Sequence, residues 1–141
     1  MLILSPAHRD EMTAHGQAGL PNESCGLLAG VIQGEDRIVK AVYCLANIDE
    51  SPEHFSMAPE DQFNSIKDMR KKGLVLLGNF HTHPATPARP SAEDIRLAFD
   101  PSLSYGIISY QEREPVLKSF VIQKGIAAEE GVAVRETPET D

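Results

Sequence analysis

Residues 74–94 read LVLLGNFHTHPATPARPSAED, and this stretch predicts the centre of the fold. Its first seven residues are almost continuously apolar, which is typical of a central strand covered on both faces of a sheet. The three prolines within 84–90 predict a rigid loop, and the segment from Ser91 to Phe99 predicts a short helix. A buried strand, a loop and a helix in this order indicate an α/β fold with a cleft at the carboxyl end of the strand.

Further strands and helices are predicted on both sides of this stretch. One helix begins at Ser5-Pro6, with proline at its first position, and runs to about Ala18. A second, amphipathic helix begins at Pro59-Glu60 and ends in a basic segment before Gly73. Patterns typical of strands occupy residues 2–4, 24–32, 37–45, 105–109 and 116–123, and residues 124–135 are expected to add one last edge strand. This order predicts a mixed β-sheet flanked by helices.

The composition indicates one domain, predicted at residues 1–135, followed by a polar, disordered tail at 136–141. With 141 residues and 41% hydrophobic residues, the chain is long enough for a single core. It has no run of about 18 apolar residues, so no membrane span is expected. The first residues, MLILS, are too short an apolar segment for a signal peptide, which predicts a cytoplasmic protein.

The net charge and the cysteine content indicate which partners and which disulfide bonds to expect. The net charge is -8, which would repel a polyanion and argues against nucleic acid as a partner. In a reducing compartment, Cys25 and Cys44 are expected to be buried thiols and not a disulfide bridge.

The histidine pair predicts a metal site. Side chains two residues apart on a strand project from the same face, so His81 and His83 can reach one ion. The proline loop then returns Asp94 to the same end of the sheet. Two imidazoles and one carboxylate are ligands that a catalytic Zn²⁺ takes, with the fourth position left for water. The other histidines offer no such spacing, because His8 and His15 lie two helical turns apart.

Two further polar residues each have two interpretations. Ser91 followed by Asp94 three residues later is a capping box, and this structural role does not exclude a role for either residue at the metal. Glu23 is either an ordinary acid in a turn between a helix and a strand, or the base that uses the metal's water. Cys25 is a soft metal ligand in principle, although a small buried residue is the favoured interpretation. His54 is expected to be a solvated loop histidine.

Together these residues resemble the signature of the JAMM (MPN+) zinc metalloproteases. That signature is a glutamate in a first strand, then H-x-H-P, then S-x-x-D after seven residues counted from the second histidine. Here it is matched by Glu23 in Asn-Glu-Ser-Cys-Gly, by HTHP at 81–84 and by SAED at 91–94. The resemblance covers about residues 1–125 and implies a mixed sheet flanked by helices, like that of cytidine deaminases.

The resemblance also implies a role for each residue. His81, His83 and Asp94 would bind zinc, Glu23 would act as general base and then as acid to the leaving amine, and Ser91 would stabilise the oxyanion. Family members cleave after the Gly-Gly tail of ubiquitin or its relatives. The deubiquitinating members carry long insertions around the site, for which this chain has little room. It resembles the compact prokaryotic members, some of which act on ubiquitin-like sulfur-carrier proteins.

Other interpretations stay open at this point. The chain could be a non-catalytic scaffold or binding module of the MPN type, or a zinc hydrolase of another substrate class. A deaminase would need H-x-E and a later P-C-x-x-C, and the sequence contains neither. The oligomeric state is also open, a homodimer included. An extended substrate is expected to be held by strand addition to a sheet edge beside the site.

Overall fold

The computed structural model describes residues 1–136, which form eight strands and three helices. The helices are α1 Pro6–Gly19, α2 Pro59–Lys71 and α3 Ala92–Arg96. The strands are β1 Leu2–Leu4, β2 Cys25–Gln33, β3 Asp36–Leu45, β4 Val75–His83, β5 Ser104–Ser109, β6 Val116–Gln123, β7 Ile126–Glu130 and β8 Val132–Val134. The predicted α/β class with a mixed sheet flanked by helices is confirmed.

The strand that ends in the histidine pair lies inside the sheet, whose order is β7-β6-β5-β4-β2-β3-β1-β8. β4 runs parallel to β5, with His83 opposite Ser109, and antiparallel to β2, with His81 opposite Cys25. Both sides of β4 are therefore hydrogen-bonded along the site. The strand that carries the histidines is thus not itself a sheet edge, and the edge strands are β7 and β8. Strand addition to a sheet edge beside the site stays a prediction.

The two faces of β4 have different environments. Phe80 is fully buried in a core cluster that includes Met12 of α1, and a Cβ added to Gly16 of α1 would meet Thr82 Cγ2. Phe80 and Thr82 therefore face α1. Since side chains alternate along a strand, His81 and His83 face the opposite side, where the chain continues into the loop before α3.

The end of the chain corrects the prediction of a single edge strand over 124–135. Lys124 and Gly125, both with positive φ, form the tight turn into β7, which pairs with β6. After Gly131 the chain forms β8, which pairs with β1 at the other edge of the sheet. Because consecutive Cα atoms are only about 3.8 Å apart, the two edges must approach each other at Gly131. The sheet is therefore strongly curled.

Three smaller expectations are tested by the described residues. α3 is shorter than predicted and ends at Arg96, while β4 extends through the histidine pair itself. Cys25 is buried as predicted, but Cys44 is exposed, so the expectation of two buried thiols is wrong for Cys44. No helix in residues 1–136 is long and apolar enough to cross a membrane. The predicted tail at 136–141 lies, apart from Glu136, outside the described residues.

Candidate metal centre

Three side-chain atoms meet at the carboxyl end of β4. His81 Nε2 and His83 Nε2 are 3.1 Å apart, and each lies 3.1 Å from Asp94 Oδ2. Both histidines are buried, and these are the residues of the described chain whose ligand atoms are grouped closely enough to hold a metal ion. Two ligands of a tetrahedral zinc ion, each about 2.0–2.1 Å from the metal, are separated by about 3.3 Å. The triangle of atoms therefore has the size that a zinc ion requires.

The surroundings of the two imidazoles orient them for this task. His83 Nδ1 donates to the Pro87 carbonyl at 2.8 Å, which leaves Nε2 with the lone pair in the neutral ring. The His81 ring stacks on Phe55, with 4.6 Å between ring centroids and 20° between planes. A carbonyl from the proline loop and an aromatic ring from the segment before α2 thus fix the two rings from different directions.

The capping box of α3 positions the Asp94 carboxylate at the cluster. The Asp94 N–H donates to Ser91 Oγ at 3.0 Å, and the Ser91 N–H donates to Asp94 Oδ2 at 2.9 Å. The same Oδ2 atom faces both imidazoles. One carboxylate therefore both completes the cap and faces the two imidazoles, so the two interpretations of this motif are compatible.

Electrostatics favour a charged Asp94. Burial on its own would raise the pKa of Asp94, but hydrogen bonds with His81 and His83 and from the Ser91 N–H outweigh burial and hold it well below its usual range. Burial lowers the pKa of His83, whereas its contacts with Asp94 and Pro87 raise it, and the net direction is upward. The site thus favours the positively charged form of His83 beside the ionised Asp94.

Glu23, just before β2, is close enough to the cluster for the charges of His83 and Asp94 to affect its pKa, but its environment is the opposite of that of Asp94. Glu23 is 6% exposed, and its Oε1 atom has no hydrogen-bond partner within the described part of the chain. Burial raises the pKa of Glu23 to about 7, with opposing contributions from the nearby charges of His83 and Asp94. A carboxyl group that titrates near neutrality can both accept and donate a proton there.

Ser91 is exposed, at the entrance of the cluster. Its Oγ accepts a hydrogen bond from the Asp94 N–H, which uses a lone pair and leaves the hydroxyl proton available to donate. The end of β4 and the start of α3 thus bring together four of the sequence-predicted residues, His81, His83, Ser91 and Asp94. Glu23, just before β2, lies within the electrostatic influence of His83 and Asp94.

A groove of about 350 Å³ leads to the cluster. His81 and Asp94 line one part of it. The remaining walls are largely apolar and are formed by residues that include Met57, Leu97, Phe99, Tyr105, Ile107 and Ile122. Phe99 is 83% exposed, so one end of the groove is open to a partner. The volume and the mixture of apolar and polar lining residues are typical of a ligand-binding cleft.

The remaining candidates from the sequence do not join the cluster. Cys25 is buried, and burial raises the pKa of its thiol to about 12, so it stays a protonated core residue. His15 Nε2 donates to the carbonyls of Cys25 and Leu45. His54 is half exposed, as predicted, but its Nδ1 also lies 2.8 Å from a carboxylate oxygen of Glu93.

Sequence reasoning missed the contribution of the polar segment at 46–58, which precedes α2. Phe55 stacks on a ligand, His54 pairs with α3, and Asn47 hydrogen-bonds the backbone of Glu23. The one signal in the sequence was an aromatic residue and a histidine, Phe55 and His54, inside an otherwise polar and aperiodic segment.

Comparison with known proteins places these features in a family. A family model described as prokaryotic homologs of the JAB domain matches residues 5–123. The chain is similar to a CysO-cysteine peptidase of Mycobacterium tuberculosis, at 32% identity over 137 residues, covering 96% of this chain and 92% of that protein. It is also similar to a desampylase of Haloferax volcanii, at 30% identity over 113 residues, covering 77% of this chain and 80% of that protein.

A solved structure agrees over almost the whole chain. The solution structure of a Desulfitobacterium hafniense protein is similar with a TM-score of 0.91 and 58% identity, covering 99% of this chain and 96% of that one. The mixed sheet and its curled edges are therefore shared with an experimentally determined relative.

Proposed function

The chain belongs to the prokaryotic JAB-domain family, and from this premise we propose that it is a zinc-dependent peptidase or isopeptidase. Its proposed substrate is a ubiquitin-like sulfur-carrier protein, cleaved after a C-terminal Gly-Gly. Two similar proteins bear the names CysO-cysteine peptidase and desampylase. The observation that carries the proposal is the triangle of His81 Nε2, His83 Nε2 and Asp94 Oδ2. It is supported by Glu23, whose buried Oε1 has no hydrogen-bond partner in the described residues and whose pKa responds to the charges of His83 and Asp94.

His81, His83 and Asp94 would hold the zinc ion. A bound zinc ion supplies a Lewis acid and lowers the pKa of its water to about 7. The Glu23 carboxylate would accept a proton at Oε1 and then deliver it to the departing amine nitrogen. This matches a carboxyl group whose pKa burial raises to about 7, since it releases and binds protons at neutral pH.

Ser91 would stabilise negative charge as it develops on the substrate carbonyl. Its Oγ–H is free to donate because the cap uses Oγ as an acceptor. Asp94 would stay ionised throughout, because its hydrogen bonds hold its pKa well below its usual range. In this mechanism Asp94 would bind the metal and Glu23 would carry the proton, so the two roles would belong to different carboxylates.

The groove argues for an extended polypeptide substrate with small residues at the cleaved bond. The stiff segment 84–90, with prolines at both ends, and Ser91 beside the cluster leave little room for a branched side chain there. Gly-Gly fits such a passage, and the wider apolar part of the groove can take residues further upstream. Since β4 is paired on both sides, the groove walls would hold the substrate, and not strand addition to β4.

The direct test is mass spectrometry of a carrier that ends in Gly-Gly followed by a short extension. Wild type should release the extension, and Glu23→Gln, run in parallel, should not. Replacing Gly-Gly by Val-Val should abolish cleavage, and efficient cutting of the Val-Val carrier would contradict the narrow passage. Tight binding of the carrier by zinc-loaded protein without any cleavage would favour the alternative, a non-catalytic scaffold. Cleavage of other zinc-hydrolase substrates alone would favour a different class.

The proposal includes the setting of the reaction. We place the catalytic unit in residues 1–135 and the protein in the cytoplasm, with no membrane or nucleic-acid partner. Size-exclusion chromatography with light scattering would decide between a monomer and the homodimer that the sequence leaves open.

A further inference from the structure

The side-chain amide of Asn47, just after β3, makes four hydrogen bonds. Nδ2 donates to the carbonyls of Glu23 and His54, both at 2.9 Å. Oδ1 accepts from the N–H groups of Asp49 at 3.0 Å and Ser56 at 3.1 Å. A side-chain amide has two donor hydrogens and two accepting lone pairs, so its capacity is fully used. A flipped amide would oppose like groups on both sides, so one orientation is fixed.

The two carbonyls held by Asn47 belong to different walls of the metal centre. One is the carbonyl of Glu23, whose side chain is the proposed base. The other is the carbonyl of His54, and the next residue, Phe55, stacks its ring on His81. One amide group therefore connects the backbone of the base to the segment that orients a ligand.

Further hydrogen bonds hold the backbone of Glu23 and Ser24 in place. The Glu23 N–H donates to the Ser51 carbonyl at 2.8 Å. The Ser24 N–H donates to Thr82 Oγ1 at 2.8 Å, and the Thr82 N–H donates to the Ser24 carbonyl at 3.0 Å. Thr82 stands between the two ligand histidines. Glu23 is thus held on one side by the ligand strand and on the other by the segment that Asn47 organises.

We propose that Asn47 is a positioning residue, whose amide sets where the Glu23 carboxylate stands relative to the His81 imidazole. This inference rests on the proposed function for the role of Glu23 as base. Asn47 acts through two backbone carbonyls, and its effect is on distance and direction. A displacement of about 1 Å in a reacting group can cost about 10²-fold in rate, so the effect of the amide should appear in kcat.

The discriminating variant is Asn47→Asp. It keeps the size of the side chain and the accepting Oδ1, but places an oxygen in front of two carbonyl oxygens. We expect kcat on the Gly-Gly carrier to fall by about 10²-fold, with KM and bound zinc within about twofold of wild type. The matched control is Asn64→Asp, which makes the same change at an exposed position of α2. This control should equal wild type in all three measurements.

A second measurement does not depend on activity. Native-state hydrogen exchange of Asn47→Asp should show the Glu23 amide exchanging at least about tenfold faster, while the Leu28 amide in the core of β2 keeps its protection. If wild type cleaves no carrier, the proposed function fails, yet this exchange still decides the role of Asn47. Unchanged exchange at Glu23 would overturn the inference, as would kcat within twofold of wild type. Parallel loss of zinc, KM and melting temperature would also overturn it, because Asn47 would then support the fold in general.

Discussion

Two carboxylates near the histidine pair, Asp94 at the start of α3 and Glu23 just before β2, are held in opposite ways. Asp94 Oδ2 has three partners, namely two imidazole nitrogens and a backbone N–H. Glu23 Oε1 has none within the described residues, although the residue is almost fully buried. The hydrogen bonds lower the pKa of Asp94, and burial raises the pKa of Glu23 to about 7.

Under the proposed function, this difference would let one site divide two tasks between chemically similar groups. A carboxylate that must bind a cation is kept ionised by donors, and one that must carry a proton is kept in a dry environment that penalises its charge. Exchanging the environments would remove both functions. Each substitution below alters Glu23 or a neighbour of Asp94, and the expected effects decrease from one substitution to the next.

His83→Ala removes one corner of the ligand triangle and should have the largest effect. We expect about one zinc per chain in wild type and loss of zinc in the variant, with hydrolysis at background, because two ligands hold the ion poorly. Metal analysis of purified protein is the measurement. His8→Ala, a histidine of α1 outside the cluster, is the control and should keep its zinc. Equal zinc in wild type and His83→Ala would remove the ligand assignment.

Glu23→Gln disturbs the other carboxylate without touching a ligand. The shape is kept and the proton acceptor is lost, so zinc should stay bound while kcat falls by about 10²–10⁴-fold. Steady-state kinetics beside metal analysis tests this. A variant that cleaves near the wild-type rate would leave Glu23 as an acid in a turn.

The same substitution should stabilise the metal-free protein at alkaline pH. The pKa of Glu23 rises from 4.5 to about 7 on folding. Folding therefore favours its protonated form, and the stability it contributes is complete below pH 4.5 and lost as the pH rises through about 7. The loss approaches about 3 kcal/mol above that range, and glutamine does not incur it.

Urea unfolding in the presence of a chelator measures this effect. Glu23→Gln should be more stable than wild type at pH 8, and the two should converge near pH 4. Glu112→Gln, at an exposed position, should follow wild type at both values. A constant offset between Glu23→Gln and wild type at all pH values would argue against a raised pKa.

Ser91→Ala separates the two uses of the capping box. Loss of the cap should cost about 1 kcal/mol of stability, and loss of a hydroxyl donor to the developing oxyanion should lower kcat by about 10²-fold. Thermal unfolding and kinetics are measured on the same preparation. A lower melting temperature with unchanged kcat would leave Ser91 only its structural role.

The clustering of His81, His83 and Asp94 could be predicted from the sequence because its information is local. His81 and His83 lie on one face of a strand by the alternation of side chains, and Ser91 and Asp94 are tied by a three-residue motif. Glu23 was harder, since taken by itself it is better explained as an acid in a turn, and only its neighbours and the rest of the motif favour a base. Its burial, which decides its chemistry, depends on segments far along the chain.

The contacts of Asn47 and Phe55 could not be predicted, because the segment at 46–58 has no periodicity from which its path could be deduced. The two strands at the end of the chain were missed for a similar reason. Residues 124–135 show strand character, but only the curvature of the whole sheet decides that β7 and β8 join opposite edges. The exposure of Cys44 likewise depends on what covers β3, and its position in a strand does not reveal that.

The curled sheet has a consequence for the behaviour of the protein at high concentration. An exposed sheet edge is a template on which further copies of a chain can polymerise. Here the outer strands are only five and three residues long, and β7 carries Glu129 and Glu130. A protein proposed to handle extended polypeptides all the time thus offers them little backbone to join outside the groove. Because the path of the chain through Gly131 leaves only these short outer strands, we expect the protein to resist fibril formation and co-aggregation with extended polypeptides.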